Sequence, residues 1–96
     1  SRTGLSTQTM FTGLVEGLAH LVDRTTAGNG VRLLLRFPSS LRADLPELGA
    51  SIALNGCCLT VVEIDGDHLA FEAGEETLSR TGLGRLQVGE AVNFER

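Results

Sequence analysis

Two adjacent thiols and a nearby hydroxyl group are the side chains of this chain whose types and spacing could do chemistry. Cys57 and Cys58 follow an Asn55-Gly56 dipeptide, and Thr60 comes shortly after them. A cysteine becomes a nucleophile when a neighbouring base removes its proton, but no histidine lies near Cys58 in the sequence. Two interpretations of Cys58 stay open: a thiol that touches a ligand, or a small buried hydrophobe, which is how most free cysteines behave.

The Asn55-Gly56 dipeptide predicts the element that positions these side chains. Asn-Gly between alternating apolar residues is a strong signal for a two-residue hairpin turn, whose central residues need positive φ. Strand alternation then divides the hairpin into two faces. The predicted core face holds Ile52, Leu54, Cys57, Leu59 and Val61. The opposite face holds Ser51, Ala53, Cys58 and Thr60, a small and polar surface on which a ligand could dock.

A second candidate segment, Glu75-Glu76-Thr77, opens a predicted helix directly after a strand. Backbone N–H groups at a helix start could bind a polar or anionic group. Alternatively, Glu76 and Thr77 only cap the helix and favour its dipole. His20 and His68 are each isolated in the sequence, and we expect both to lie on solvated strand faces.

Composition excludes several classes of function. The net charge of −4 and a pI near 5.0 argue against a nucleic-acid surface, because no basic stripe is available to neutralise phosphates. No apolar run is long enough to cross a bilayer, so we expect no membrane partner and a cytoplasmic location. Adjacent cysteines cannot staple a fold, and reduced thiols suit that compartment. The Cys and His spacing is not that of a zinc site, so no metal is expected.

The remaining residues predict a single small domain of short strands separated by glycine turns. Residues 1–9 are polar and aperiodic, which predicts a leader or a cloning remnant before a domain of residues 10–96. Predicted strands cover residues 13–23, 31–37, both arms of the hairpin up to Ile64, 68–72 and 88–94. Short helical segments are predicted from Ser39 or Ser40 to Leu45 and from Glu75 to Arg80. This pattern indicates an antiparallel barrel or sandwich.

Three segments together resemble, in order and spacing, the amino-terminal barrel of riboflavin synthase. They are Met10–Gly17, Asn55–Val61 and Glu76–Gly84, supported by Gly49–Ser51, Glu63–Gly66 and Val88–Arg96. The resemblance implies an all-β fold, a six-stranded antiparallel Greek-key barrel with one or two short helices. It also implies an activity, in which one 6,7-dimethyl-8-ribityllumazine gives a four-carbon unit to another and yields riboflavin and a pyrimidinedione. No metal or redox cofactor is required in that family, and its enzymes are usually trimers.

The resemblance also implies where the ligand binds. The backbone that holds it would be Gly13, Leu14 and Val15, then Cys58, Leu59 and Thr60. The third wall would consist of Glu72, Ala73, Gly74, Glu75, Glu76 and Thr77. Of the residues implied as catalytic, Phe11 would pack beside the site and Cys58 would approach the reacting ring. The third wall departs from the family pattern at Glu72, where Asp is common, and at Gly74, where a larger apolar residue is usual.

Chains of that family carry the barrel twice, and each catalytic site lies between the first barrel of one subunit and the second barrel of a neighbour. The resemblance covers only the first barrel, so two hypotheses follow. The chain is the amino-terminal half of the enzyme, binding lumazine or riboflavin with little turnover, or a one-barrel carrier of the antenna type. A barrel without any ligand is the structural alternative. We expect the isolated barrel to form a homodimer through the face that would meet the second barrel.

Overall fold

A computed structural model of the chain describes residues 17–38 and 46–96. Short strands dominate this part of the chain, with one α-helix and one 3-10 helix between the last two strands. The strands are β1 (Gly17–Ala27), β2 (Gly30–Arg36), β3 (Ser51–Leu54), β4 (Cys57–Asp65), β5 (His68–Ala73) and β6 (Ala91–Glu95). The α-helix, α1, spans Glu75–Thr81, and the 3-10 helix spans Leu83–Arg85.

The strands close into a barrel in the order β1-β2-β5-β4-β3-β6. Neighbouring strands are antiparallel throughout, and β2 and β3 follow each other in the chain without being neighbours in the barrel, which is a Greek-key arrangement. The six-stranded barrel expected from the resemblance is therefore confirmed, and the sandwich alternative is wrong. None of the helices within the described ranges is long and apolar enough to cross a bilayer.

The boundaries of β1 and β6 differ from those predicted. β1 continues to Ala27 rather than ending at Asp23, because a bulge in the middle of the strand disrupts its alternation. β6 begins at Ala91 rather than Val88, since Val88 and Gly89 form a turn in which Gly89 has a φ of 96°. The helix predicted from Ser39 or Ser40 to Leu45 lies outside the described residues.

Two β-bulges set the side-chain directions inside the barrel. The register of β1 against β2 shifts between Leu21 and Asp23, and the register of β4 against β5 shifts between Val61 and Glu63. A bulge inserts one extra residue, so the inward and outward positions exchange beyond it. This exchange explains why Ile64 packs against the core although it lies an odd number of residues after the buried Val61.

The core consists of inward-facing aliphatic residues around three phenylalanines. Phe37 lies between the other two, with ring centroids 6.3 Å from Phe71 and 4.9 Å from Phe94. Edge and tilted contacts at such distances are favourable for aromatic pairs. The fully buried aliphatic side chains around them are Leu21, Leu33, Leu35, Ile52, Leu54, Val61, Leu69, Leu83 and Val92.

Candidate functional site

The β3–β4 hairpin places the two thiols on opposite faces of the barrel wall, as the Asn-Gly turn predicts. Asn55 and Gly56 have φ values of 50° and 85°, and Leu54 pairs with Cys57 while Ala53 pairs with Cys58. Cys57 is half-buried and packs against the core, whereas Cys58 is exposed. The predicted division into two faces is confirmed, except that Ala53 on the outer face is itself buried.

Burial makes the Cys57 thiol harder to ionise. The pKa of Cys57 is raised above its ordinary value of 9.0, first by desolvation and then by the neighbouring Cys58. A hydrogen bond with the side chain of Thr81, at the end of α1, partly offsets this rise. The start of β4 is therefore in contact with the helix that follows β5. A neutral, half-buried thiol is structural, which agrees with the prediction for Cys57.

Backbone hydrogen bonds in β4 alternate in direction from the turn onward. In a two-residue hairpin, the first pair, here Leu54 and Cys57, exchanges hydrogen bonds, and every second pair along the ladder does the same. The Val61 N–H donates to the Ala50 carbonyl oxygen at 2.9 Å, as this alternation requires. The residues between these bonded positions therefore direct their backbone groups away from β3.

Cys58 and Thr60 are two of those intervening residues, so their N–H and C=O groups point toward the side where β5 lies. The pairing of β4 with β5 ends at Val61 and Phe71. The backbone groups of Cys58 and Thr60 therefore lie just beyond the last β4–β5 pair. The side chains of the same two residues are exposed. A planar polar ligand can extend a sheet at such a position by pairing with the backbone.

The end of β5 and the start of α1 form the third wall. Ala73 pairs with Val31 of β2 and is buried, while Glu72, Gly74, Glu75 and Glu76 are exposed and Thr77 is half-buried. The backbone of Gly30 packs closely against this wall. A Cβ on Gly30 would lie 2.1 Å from the Ala73 carbonyl oxygen, so only glycine fits there.

The beginning of α1 differs from the capping predicted for it. Gly74 occupies the N-cap position, and no side chain makes a capping hydrogen bond, so the prediction that Glu76 and Thr77 cap the helix is wrong. Glu75 and Glu76 do place negative charge in the first turn, which favours the helix dipole. Glu76 also pairs with Arg80 one turn later at 2.8 Å.

Arg32 lies near this wall, although no pattern in the sequence marks it as a site residue. Its guanidinium forms ion pairs with Glu63 of β4 and with Glu72 of β5, the latter at 3.6 Å. Strand alternation indicates that Arg32 points outward, but its partners depend on the bulge in β4, which no local pattern signals. Arg32 therefore balances the charge of one carboxylate of the third wall.

Two hollows lie on the outer surface near these residues. One, of about 240 Å³, is lined by Asp23, Thr25, Arg32, Leu34, Glu63, Asp65 and His68. The other, of about 320 Å³, lies where β3 meets β6 and is lined by Ala53, Asn55, Gly56, Asn93, Phe94 and Glu95. Since Ala53 pairs with both Cys58 and Glu95, the second hollow adjoins the face that carries Cys58.

The structure brings together two of the three predicted parts of the site. Cys58 to Thr60 and Glu72 to Thr77 meet at one end of the barrel through the β4–β5 ladder and the contact between Cys57 and α1. The third part, Gly13, Leu14 and Val15, lies outside the described residues, as does Phe11. His68 begins β5, whereas the third wall follows its other end, so His68 is not placed to act as a base for Cys58.

Comparison with protein-family models gives one family for this chain. The model described as "Lumazine binding domain" matches residues 12–96. Riboflavin synthase from Escherichia coli strain K12 is 48% identical over 87 residues, covering 91% of this chain and 40% of that protein. Riboflavin synthase from Mycobacterium tuberculosis is 44% identical over 89 residues, covering 91% of this chain and 43% of that protein. The chain therefore spans less than half the length of these relatives.

Two solved structures of LumP have the same fold as this chain over about half of their own length. The crystal structure of LumP complexed with riboflavin superposes with a TM-score of 0.81 at 32% identity, covering 90% of this chain and 46% of that one. LumP complexed with 6,7-dimethyl-8-(1'-D-ribityl) lumazine superposes with a TM-score of 0.80 at the same identity and covers 48% of that chain.

Proposed function

The chain belongs to the lumazine-binding domain family, and we propose that its barrel binds 6,7-dimethyl-8-ribityllumazine and riboflavin. The observation that carries the proposal is the match of residues 12–96 to the family, together with similarity to LumP, whose complexes contain these ligands. The proposed site consists of Gly13 to Val15, Cys58 to Thr60 and Glu72 to Thr77. No metal or redox cofactor takes part in the proposal.

Backbone groups would hold the ring of the ligand in this site. The N–H and C=O groups of Cys58 and Thr60 point beyond the last β4–β5 pair, where the edge of a pteridine can pair with them. The hydroxyls of Thr60 and Thr77 would bind the ring or the ribityl chain. Such pairing selects strongly among ligands, because an analogue that lacks one group leaves its buried partner unsatisfied.

Cys58 and Phe11 would act beside the reacting ring, and Cys58 would not act as a nucleophile. Cys58 is exposed on the outer face, and His68 lies at the far end of β5, so proton removal by that imidazole is not supported. The thiol would instead contact the ring and contribute to its electrostatic environment. Phe11, which precedes the first proposed binding segment, would pack against the ligand.

Within riboflavin synthase activity, this barrel would supply one of the two ligand sites that the dismutation needs. Because the reaction joins two lumazines without a cofactor, much of its acceleration must come from holding both in position. A barrel that binds one lumazine would therefore retain binding and lose most turnover. The alternative is a carrier that binds lumazine or riboflavin without turnover, and the similarity to LumP, whose complexes contain these ligands, supports the binding that both hypotheses require.

Fluorescence titration with riboflavin tests the binding proposal. We expect the flavin emission or polarisation to change and to saturate at one riboflavin per barrel. A flat titration at concentrations that saturate LumP, measured in parallel, would refute the proposal. Replacing Thr25, a surface residue outside the proposed site, with valine provides a control that should bind like the parent.

A turnover assay separates the enzyme from the carrier. The protein is incubated with 6,7-dimethyl-8-ribityllumazine, and riboflavin formation is followed by its absorbance. As the isolated barrel, it should form riboflavin far more slowly than full-length riboflavin synthase at equal site concentration. Restoration of activity by an added carboxy-terminal barrel would support the half-enzyme, whereas saturable binding without restoration would support the carrier.

We also propose that the isolated barrel forms a homodimer, whereas the two-barrel enzyme would form a trimer. Leu18, Val22 and Val88 are exposed apolar residues, with 50%, 37% and 61% of their surface accessible. They share one region, because the Gly89 N–H donates to the Leu21 carbonyl oxygen and brings Val88 against β1. Such a patch favours association of two identical surfaces.

Sedimentation equilibrium with riboflavin present tests the homodimer. The parent protein should fit a dimer, and Leu18→Glu should weaken the association. Val62→Glu is the control, because Val62 is also an exposed apolar residue but lies on β4, across the barrel from β1. A monomeric parent, or equal weakening by both substitutions, would contradict the proposed interface.

A further inference from the structure

Arg24 of β1 points toward the barrel interior because of the bulge at Val22. Before the bulge, Ala19 and Leu21 are buried, and simple alternation would direct Asp23 inward and Arg24 outward. The bulge reverses this order, so Arg24 pairs with the inward-facing Leu33 and Asp23 pairs with Leu34. A charged side chain at an inward position needs partners, because burial of an unpaired charge is costly.

Backbone carbonyl groups after α1 are those partners. The Arg24 Nη1 donates to the carbonyl oxygen of Leu86 at 2.7 Å and to that of Leu83 at 3.4 Å. The Nη2 donates to the carbonyl oxygen of Gly84 at 2.6 Å. The planar guanidinium therefore joins β1 to the 3-10 helix and to the residue that follows it. Hydrogen bonds from a charged donor are stronger than those between neutral groups.

The helix before this connection has one side chain, Leu78, that packs partly buried against the core. α1 has seven residues, no fully buried side chain and no side-chain cap at its start. So short a helix is not stable by itself, and its position depends on tertiary contacts. Besides Leu78, the contacts come at its carboxyl end, where Thr81 reaches Cys57 and where Leu83 and Leu86 are buried beside the carbonyls that Arg24 binds.

We propose that Arg24 is a positioning residue for ligand binding, which acts by clasping the segment after α1 to β1. The clasp fixes α1 and so holds Glu75 to Thr77 against the start of β4. This inference rests on the proposed function for the ligand contacts of that wall, but the clasp itself can be measured without a ligand. Loss of the clasp would let α1 leave the barrel end while the strands remain folded.

Thiol labelling measures the clasp directly. In a Cys58→Ser background, Cys57 is the sole thiol, and its contact with Thr81 makes its reactivity a report on α1. We expect Arg24→Gln to raise the labelling rate of Cys57 about tenfold or more, since bonds from a charged donor are lost. Arg24→Lys should lower the labelling rate only part of the way back to the parent value, because a single ammonium group cannot make the hydrogen bonds of both guanidinium nitrogens. Arg85→Gln is the control, because Arg85 lies exposed on the same 3-10 helix.

Hydrogen exchange and ligand affinity complete the experiment with Cys58 intact. Amides of residues 75–86 should exchange faster in Arg24→Gln, with those of β2 and β5 unchanged, and the Kd for riboflavin should rise about tenfold. Uniformly faster exchange, parent-like labelling, or an unchanged Kd despite an opened helix would each overturn the positioning role. If the parent protein binds no riboflavin, the proposed function fails, while labelling and local exchange still confirm or refute the clasp.

Discussion

Leu54 and Cys57 form the first pair of the β3–β4 hairpin, and this pairing decides which of the two adjacent thiols reaches the core. A register shifted by one residue would exchange the faces of Cys57 and Cys58. The two cysteines therefore have different environments although they are neighbours in sequence. Cys57 is half-buried beside Thr81, and Cys58 is exposed.

The raised pKa of Cys57 predicts a loss of stability at alkaline pH. The folded protein holds the thiol proton more tightly than the unfolded chain, whose thiol has the ordinary pKa of 9.0. The resulting stabilisation is complete below pH 9.0 and is lost as the pH rises through the folded-state pKa. The sequence contains no lysine or tyrosine, so few other groups titrate in this range.

Denaturant unfolding between pH 7.5 and pH 10.5 measures this effect. The free energy of unfolding should fall with pH in the parent and in Cys58→Ala, and should fall less in Cys57→Ala. Equal slopes in the two variants would show that the Cys57 thiol is not the group responsible.

Asn55 makes two separable contributions to the hairpin. Its φ of 50° suits Asn better than most residues, and its Oδ1 accepts a hydrogen bond from the Asn93 N–H at 2.9 Å. Asn55→Gly retains the backbone conformation and loses the side-chain bond, at a cost of about 1 kcal/mol. Asn55→Ala also strains the turn and should cost about 1–2 kcal/mol more. Chemical denaturation that finds the two variants equally stable would contradict this division.

Gly30 and Gly74 offer a matched comparison at the third wall. In Gly30→Ala the new Cβ would meet backbone atoms of Ala73 and Gly74, so we expect a loss of about 1–3 kcal/mol or more. In Gly74→Ala the new Cβ meets nothing within 4 Å, and the φ of −77° suits any residue. The only cost there is a poorer N-cap, within about 1 kcal/mol. Thermal unfolding that ranks the two variants in reverse would contradict this packing.

Features of the fold that depend only on residues close together in the sequence were predictable. The Asn55-Gly56 turn sets its own pairing, so the faces of Cys57 and Cys58 followed from local geometry alone. The helix after β5 was also predictable in extent, since Glu75 to Arg80 is helical as expected. The barrel closure came from the resemblance, because closure depends on strands far apart in the sequence.

Side-chain directions that depend on a β-bulge, which inserts one extra residue into a strand, were not predictable from the sequence. The bulges at Val22 and Val62 carry no turn signal, yet each reverses the alternation beyond it. Without the first, Arg24 would be assigned to solvent, and without the second, the pairing of Arg32 with both Glu63 and Glu72 could not be foreseen. The missing information is the partner strand, which decides where a ladder shifts.

Thr60 provides the most direct prediction about the proposed site. Thr60→Val keeps the shape of the side chain and removes the hydroxyl, and because Thr60 is exposed, stability should change by less than about 0.5 kcal/mol. If the hydroxyl binds the ligand, the Kd for riboflavin should rise about tenfold, which corresponds to one lost hydrogen bond. Thr25→Val, an exposed threonine on β1, is the control and should leave the Kd unchanged. Titration with lumiflavin, in which a methyl group replaces the ribityl chain on the same ring, identifies the bonded group. A loss confined to riboflavin assigns the Thr60 hydroxyl to the ribityl chain, a loss shared with lumiflavin assigns it to the ring, and no loss with either ligand contradicts its place in the site.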